Sequence, residues 1–171
     1  MRLSLARSRL YLNTGTAFLR LFACIVLSCV SLAAHAQGMV VQNTPAGLWR
    51  TIDDNTGKPS ALVRIVEAGG EYIGRVEKIF PGISDDPNPT CDDCEGARKS
   101  QPVLGMTILW GMHRSRDQAG EEYSGGEILD PQNGHIYHCL MTMADGGKKL
   151  RVRGYYLVTL FGRTQVWERE E

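Results

Sequence analysis

The pattern of apolar and polar positions along the chain consists of short runs rich in β-branched and aromatic residues, interrupted by Gly, Asn, Asp and Pro. Such runs predict β-strands, because successive side chains of a strand point to opposite faces of a sheet. No longer stretch shows the regular apolar spacing of an amphipathic helix. The predicted strands are Gly47–Ile52, Ala61–Glu67, Tyr72–Phe80, Met106–Met112, Tyr123–Leu129, Ile136–Met143, Leu150–Tyr156 and Arg163–Arg169.

Alternation within these runs assigns residues to faces. In the sixth run Tyr137, Cys139 and Met141 are predicted on one face, with His138 and Thr142 on the other. One apolar and one polar face is typical of an antiparallel sheet. A second apolar face is predicted in the fourth run, formed by Met106, Ile108, Trp110 and Met112.

Most connections between the runs are short and carry residues that favour tight turns, such as Gly69-Gly70, Asn133-Gly134 and Gly146-Gly147. Strands joined in this way predict an all-β fold, a single antiparallel up-and-down β-barrel of about eight strands. Closing the sheet into a barrel removes its exposed edges. A barrel of about eight strands is either packed solid or holds one small ligand.

One connection, Pro81–Leu104, breaks this pattern, since it is long and contains four of the seven prolines. Connections of more than about 12–15 residues without regular structure are uncommon and often functional. The segment also carries five acids, Asp85, Asp86, Asp92, Asp93 and Glu95. Their spacing does not match an EF-hand loop, so a solvated charged loop is favoured over a calcium site. A basic partner or a cation suits it better than an anion.

The first 36 residues contain four arginines and no acid, and the uncharged stretch Leu21–Ala34 is mostly apolar. The small-x-small sequence Ala34-His35-Ala36 follows. Together these features predict a cleavable signal peptide over residues 1–36, with cleavage after Ala36. A membrane-spanning helix needs about 20 apolar residues, more than this run supplies. A lipoprotein signal ending at Cys29 is a weaker alternative, because apolar residues continue beyond it.

Export changes the composition of the part that functions. The chain has 171 residues with 19 basic and 19 acidic side chains, and removal of four arginines leaves a net charge of −4. We expect a periplasmic or secreted protein with no stable membrane span after cleavage, a short N-terminal extension over residues 37–45, and one domain over residues 46–171. The apolar content argues against wholesale disorder, and no basic excess indicates nucleic-acid binding.

Several motifs resemble the DUF2147 family, an exported bacterial domain of unknown function. They are Gly47-Leu48-Trp49-Arg50-Thr51, Gly74-Arg75-Val76, Cys91-Asp92-Asp93-Cys94, Gly126-Glu127-Ile128-Leu129-Asp130-Pro131-Gln132-Asn133-Gly134, Leu150-Arg151-Val152-Arg153-Gly154-Tyr155 and Phe161-Gly162-Arg163-Thr164-Gln165-Val166-Trp167. The resemblance covers residues 46–169 and implies a lipocalin-like, calycin-like barrel with no assigned activity. Tyr123 departs from the family pattern, in which many members have Trp.

The resemblance to lipocalin-like barrels also implies a role for Trp49. In such barrels the Trp of the first strand closes one end beneath an Arg of a late strand. Here Arg153 is the candidate partner, with Arg169 as the alternative, and its guanidinium would stack on the indole. Trp49 and Arg153 are thus predicted to plug one end of the barrel, a structural role.

Cys91 and Cys94 have three interpretations. A disulfide within the loop is favoured, because exported proteins retain disulfides. A metal site would need two further ligands, from Cys139, His113, His135 or His138, and their spacing is not standard. A redox dithiol would need a basic neighbour, but two aspartates separate the cysteines. We therefore expect no cofactor and treat the pair as only a weak metal candidate. Cys139 is predicted to be buried.

Catalytic motifs are missing from the sequence: it has no Gly-x-Ser-x-Gly elbow, P-loop or dinucleotide-binding glycine pattern. We expect no catalytic residue and favour a non-enzymatic module that binds a small apolar or amphipathic ligand or an envelope protein. The alternatives are a metal or thiol-redox protein built on Cys91 and Cys94, and a structural protein with a solid barrel. The candidate ligand contacts in the interior are Met106, Trp110, Tyr137 and Met141.

Overall fold

The computed structural model describes residues 43–54, 56–81, 86–116 and 121–170. The predicted signal peptide and most of the predicted N-terminal extension lie outside these residues. The described strands are β1 (Gly47–Ile52), β2 (Pro59–Ala68), β3 (Glu71–Ile79), β4 (Thr107–Arg114), β5 (Glu122–Asp130), β6 (His135–Ala144), β7 (Lys149–Tyr155) and β8 (Gly162–Arg169).

In this part of the chain eight antiparallel strands pair in sequence order, and β8 pairs with β1 to close the barrel. The closing contact places Trp49 opposite Arg169 and Arg50 opposite Glu168. The predicted fold class is confirmed, and each predicted strand matches an observed one to within two residues at both ends. Tight turns and alternation fix these strands locally, which is why the sequence alone located them.

The predicted apolar face of the fourth run is right for Met106, Ile108 and Met112, which are buried, and wrong for Trp110. Ile108 and Leu109 are adjacent in sequence and both buried, and Trp110 is only half-buried. The cause is an irregular stretch of β4, in which the pairing with β3 shifts register and Gly111 adopts φ +67°. An irregularity of this kind moves the neighbouring side chains to the other face, which explains why Leu109 is buried and Trp110 is not.

Gly126 on β5 makes this irregularity possible. A Cβ atom at Gly126 would lie 2.2 Å from the carbonyl oxygen of Trp110 and 2.6 Å from the carbonyl carbon of Gly111. Only a glycine allows the backbone of β4 to approach β5 so closely, so the bulge in one strand is matched by a glycine in its neighbour.

The connection from β3 to β4 packs against the barrel as a compact loop. Within its described part, Thr90 pairs with Pro102, and backbone hydrogen bonds of 2.9 Å join Cys91 to Gln101 and Ser100 to Cys91. Residues Gly96–Arg98 form a single 3-10 turn. We call residues 86–105 the disulfide loop. Its internal pairing explains how a connection without predicted strands is ordered.

The barrel has two different ends. We call the end that carries Ala46, Gly69-Gly70, Gly147 and Arg169 the closed end, and the end that carries the turns at residues 53–58 and 131–134 and the β7–β8 loop the open end. The interior near the closed end is filled by large buried side chains, which are Trp49, Tyr72, Met112, Tyr123, Met141, Met143 and Leu150.

Candidate functional site

A cavity of about 720 Å³ occupies the open half of the barrel and reaches solvent at the open end. Its inner walls are mostly apolar, and all eight strands contribute residues to them. They include Val63, Val76, Ile108, Ile128, Val152 and Trp167. Cavities that bind small molecules typically measure about 300–1,000 Å³ and combine apolar walls with a few polar groups. In size and lining this one matches a site for a single small ligand.

Small inward-facing residues create this space. Gly154 of β7 faces the interior beside Tyr137 of β6, where a Cβ atom would lie 3.3 Å from the Cβ of Tyr137. Both residues line the cavity, and a side chain at position 154 would extend into it beside Tyr137. Further along the same two strands, Met141 and Leu150 are fully buried and leave no comparable space.

Polar groups concentrate at the mouth of the cavity. The Nδ2 of Asn133 donates a hydrogen bond to the hydroxyl of Tyr137 at 3.3 Å, and the Tyr137 ring lies 4.7 Å from that of Tyr156. Across the mouth, Arg163 forms an ion pair with Asp54. These groups can bind the polar part of a ligand whose apolar part lies deeper.

Gln165 is one of the polar residues on the cavity wall, together with Thr51 and Ser60. Its Oε1 accepts a hydrogen bond of 3.1 Å from the indole nitrogen of Trp167. That bond gives the buried indole N–H an acceptor and leaves the amide nitrogen of Gln165 as the remaining donor of a side chain that lines the cavity. The amide therefore supplies one point at which a hydrogen-bonding ligand is distinguished from a purely apolar one.

The disulfide loop supplies part of the cavity wall through Pro89, Asp92, Asp93 and Val103. Cys91 and Cys94 are joined by a disulfide, and both are buried. The loop is held on the β5–β6 turn, where a Cβ at Gly134 would lie 2.0 Å from the carbonyl oxygen of Asp93. Glycine at this turn was predicted for its conformation; its second role is to let the loop approach.

The observed bond supports the disulfide interpretation of Cys91 and Cys94, since the bonded sulfurs are not thiolates that could bind a metal or exchange electrons as a dithiol. Among the described residues, no group of three His, Cys, Asp or Glu side chains could hold a metal ion. Cys139 is buried and unpaired, as its alternation predicted. Burial raises the pKa of the Cys139 thiol from 9.0 to about 12.

At the closed end the side chain that stacks on Trp49 is Arg169, with its guanidinium 4.2 Å from the centre of the indole. Arg169 donates hydrogen bonds to the carbonyl oxygens of Gly147 at 2.6 Å, Ala46 at 2.8 Å and Thr44 at 2.6 Å. The indole nitrogen of Trp49 donates to the carbonyl oxygen of Pro45 at 2.7 Å. Partial burial lowers the pKa of Arg169.

The prediction that Arg153 stacks on Trp49 is therefore corrected. Arg153 lies near the open end, where it donates hydrogen bonds to the carbonyl oxygens of Thr159 at 2.6 Å and Leu160 at 3.2 Å. The strand pairing explains the difference. Arg169 lies directly opposite Trp49 in the β1–β8 pair, whereas Arg153 lies opposite Thr164 in the β7–β8 pair.

Of the four predicted ligand contacts, only Tyr137 lines the cavity. Met141 is packed in the filled half of the barrel, and Met106 precedes β4 in the disulfide loop region. Trp110 packs against Arg98, whose guanidinium lies 4.6 Å from its ring centre, and donates a hydrogen bond to Glu127. The prediction that Met106, Trp110 and Met141 line the cavity is thus corrected.

Sequence reasoning missed Val152, Gln165 and Arg163 as cavity residues. The signal was present: Arg163, Gln165 and Trp167 alternate along β8, so the burial of Trp167 places Gln165 on the inward face. Alternation identifies the inward positions, but it does not show which of them lie in the hollow half of the barrel and which in the filled half.

Comparisons with known proteins agree with the fold. The family model described as "Uncharacterized protein conserved in bacteria (DUF2147)" matches residues 47–169. Among solved structures, the chain is similar to protein HP1028 of Helicobacter pylori, described as belonging to the lipocalin family, with a TM-score of 0.61. The two share 16% sequence identity over 74% of this chain and 82% of that chain, a likeness of fold.

A search of curated proteins gives no significant match. In the described residues there is no helix of sufficient length and apolar character to cross a membrane. The family model extends from the first residue of β1 to the last residue of β8, and so covers the entire barrel. The chain therefore belongs to the DUF2147 family of uncharacterized bacterial proteins.

Proposed function

We propose that this protein is an exported carrier or sensor that binds one small amphipathic molecule in the open half of its barrel. The observation that carries the proposal is the cavity of about 720 Å³, with apolar inner walls and a polar mouth. The likeness in fold to a protein described as a lipocalin supports the same idea by analogy. Export rests on the signal peptide predicted for residues 1–36.

The lining indicates the chemistry of the ligand. Val63, Val76, Ile128 and Val152 offer no hydrogen bonds, so the part of the ligand between them is hydrocarbon or aromatic. Gln165 permits one polar contact within the cavity, and Asn133 with the other mouth residues contacts a polar head. A carboxylate head is disfavoured by the aspartates at the mouth, among them Asp92, Asp93 and Asp130.

A direct test measures uptake of a polarity-sensitive naphthylamine dye by purified protein, with a filled-cavity variant and a matched control. Val152→Phe adds an aromatic ring inside the cavity, and Val166→Phe makes the same change at an exposed position of β8. We expect Val152→Phe to weaken dye binding at least tenfold, about 1.4 kcal/mol. Val166→Phe should bind the dye as the unmodified protein does.

Folding of each variant is checked by circular dichroism and thermal unfolding. Val76→Phe repeats the change on β3, across the cavity from β7, and should also reduce dye binding. Equal binding by all variants would place the dye outside the barrel and contradict the proposal. Failure of the unmodified protein to take up the dye or any extracted envelope lipid would contradict it as well. Native mass spectrometry of protein purified from its own cell envelope then identifies the natural ligand.

A further inference from the structure

The loop between β7 and β8 exposes an unusual amount of apolar surface to solvent. We call residues Tyr156–Phe161 the apolar tip. Leu157 is 92% exposed, Leu160 is 78% exposed and Phe161 is 75% exposed, and about half of Tyr156 and Val158 is exposed as well. Single exposed apolar residues are common on proteins, but a group of five on one short loop marks an interaction surface.

Charged residues are absent from the apolar tip and flank it on both sides. From Gly154 to Gly162 no residue is charged, and Arg153 and Arg163 border the segment. Tyr155 directly precedes the apolar tip, and Tyr156 is its first residue. Apolar side chains at the tip, with tyrosines and arginines behind them, follow the order of residues at a membrane–water interface.

Part of the backbone of the apolar tip has hydrogen-bond partners within the protein. Arg153 donates to the carbonyl oxygens of Thr159 and Leu160, and the amide of Phe161 donates to the carbonyl oxygen of Val158 at 3.1 Å. Unsatisfied backbone groups are strongly disfavoured in the hydrocarbon of a bilayer. These internal bonds reduce the number of backbone groups that would enter the bilayer unpaired.

We propose that the apolar tip docks the protein on the surface of a lipid bilayer by inserting Leu157, Leu160 and Phe161 among the acyl chains. A stable protein–protein interface needs about 800 Å² on each partner, more than a convex tip of six residues can offer. Insertion into lipid requires no complementary surface. Since the tip is uncharged and Arg163 is already paired with Asp54, docking does not depend on anionic lipids.

Docking would place the mouth of the cavity against the bilayer, because Tyr156 and Phe161 also line the cavity. A ligand soluble in lipid could then pass between the bilayer and the barrel without crossing water. Docking on a bilayer does not require that the cavity binds a ligand. Vesicle flotation measures docking, and dye uptake measures ligand binding.

The test is co-flotation of purified protein with phosphatidylcholine vesicles and with vesicles that also contain phosphatidylglycerol. We expect both to bind, with little effect of salt. The double variant Leu157→Asp/Leu160→Asp should weaken binding at least tenfold without a change in unfolding temperature, because both side chains are exposed. The matched control is Leu104→Asp, an exposed leucine outside the tip, which should leave binding unchanged.

A second variant gives a positive signal. The fluorescence of Trp introduced by Leu157→Trp should shift to the blue on vesicles and be quenched by brominated lipids. Absence of vesicle binding by the unmodified protein would overturn the proposal, as would equal loss in Leu104→Asp. Binding to anionic vesicles alone, abolished by salt, would also overturn it. A dimer in sedimentation that the double variant dissolves, without vesicle binding, would instead identify the tip as a contact between copies.

Discussion

The two ends of this barrel are made from the same strands and the same alternation, yet one is filled and the other is hollow. On β6, Met141 and Met143 fill the interior towards the closed end, whereas Tyr137 lies at the cavity wall. On β7, Leu150 is fully buried near the closed end and Gly154 leaves space towards the open end. Side-chain volume at inward positions, rather than strand geometry, separates the two halves.

The ends also differ in how polar atoms are treated. At the closed end, Arg169 and Trp49 direct their nitrogens to backbone carbonyls of the chain that leads into β1. At the open end, Asn133, Tyr137 and Gln165 carry polar atoms on the mouth or wall of a cavity. At the closed end, the side-chain nitrogens are bonded to the backbone and stabilise the fold. At the open end, the polar side-chain atoms lie where a ligand in the cavity could contact them.

The sharpest test of this contrast is Trp49→Ala. Removing a fully buried indole should destabilise the protein by about 3–5 kcal/mol and leave a cavity at the closed end. Trp110→Ala is the control, since Trp110 is half-buried on the outside, and should cost about 1–2 kcal/mol. Urea unfolding followed by circular dichroism measures both. A stable Trp49→Ala variant that lost only dye binding would refute the structural role of Trp49.

Arg169→Ala should have the next largest effect. It removes the stacked cation and its hydrogen bonds to three carbonyl oxygens, so we expect a loss of about 2–3 kcal/mol. Arg153→Ala, at the open end, should cost less because its partners include exposed loop carbonyls. The same unfolding measurement compares them. A larger loss of stability in Arg153→Ala than in Arg169→Ala would contradict the view that hydrogen bonds stabilise the closed end more than the open end.

Replacing the disulfide by Cys91→Ala/Cys94→Ala should cost about 2 kcal/mol, given the short loop that the bond closes. Because residues of the disulfide loop line the cavity, the variant should also bind the naphthylamine dye more weakly. Hydrogen exchange should increase at the amides of position 91 and Ser100, which pair within the disulfide loop, while the amides around Trp49 stay protected. Uniformly faster exchange at both ends would show that the loop supports the whole barrel rather than the open end.

The smallest predicted effect concerns Cys139, which lies between the two halves. The unfolded chain loses the thiol proton above about pH 9, while the folded protein keeps it until about pH 12. The contribution of Cys139 to stability is therefore full below about pH 9 and falls as the pH rises towards 12. Between about pH 8 and pH 10 the unmodified protein should lose about 1 kcal/mol more stability than Cys139→Ala.

Burial of Tyr72, whose pKa is raised to about 12 chiefly by desolvation, produces a similar alkaline loss in both proteins and cancels in this comparison. Identical pH profiles for the unmodified protein and Cys139→Ala would show that the thiol proton is not retained. Slow reaction of Cys139 with a thiol reagent under native conditions gives an independent check.

The strands and their order were predictable because their determinants are local. Asn133-Gly134 and Gly69-Gly70 specify tight turns, and alternation such as that of Cys139 and Met141 specifies an inward face. The face of Trp110 in β4 was mispredicted for a non-local reason. The irregularity of β4 at Gly111 depends on the absence of a side chain at Gly126 of the neighbouring strand.

By itself, the sequence determined the all-β class and the strand bounds to within two residues, showed the resemblance to the family, and favoured a disulfide between Cys91 and Cys94 over a metal or redox site. Only the tertiary structure decided that Arg169 rather than Arg153 covers Trp49, since this depends on the register in which β8 meets β1. It also decided that the barrel is half hollow. A cavity is a sum of side-chain volumes from strands far apart in sequence, and alternation assigns a residue to the interior without fixing the space around it.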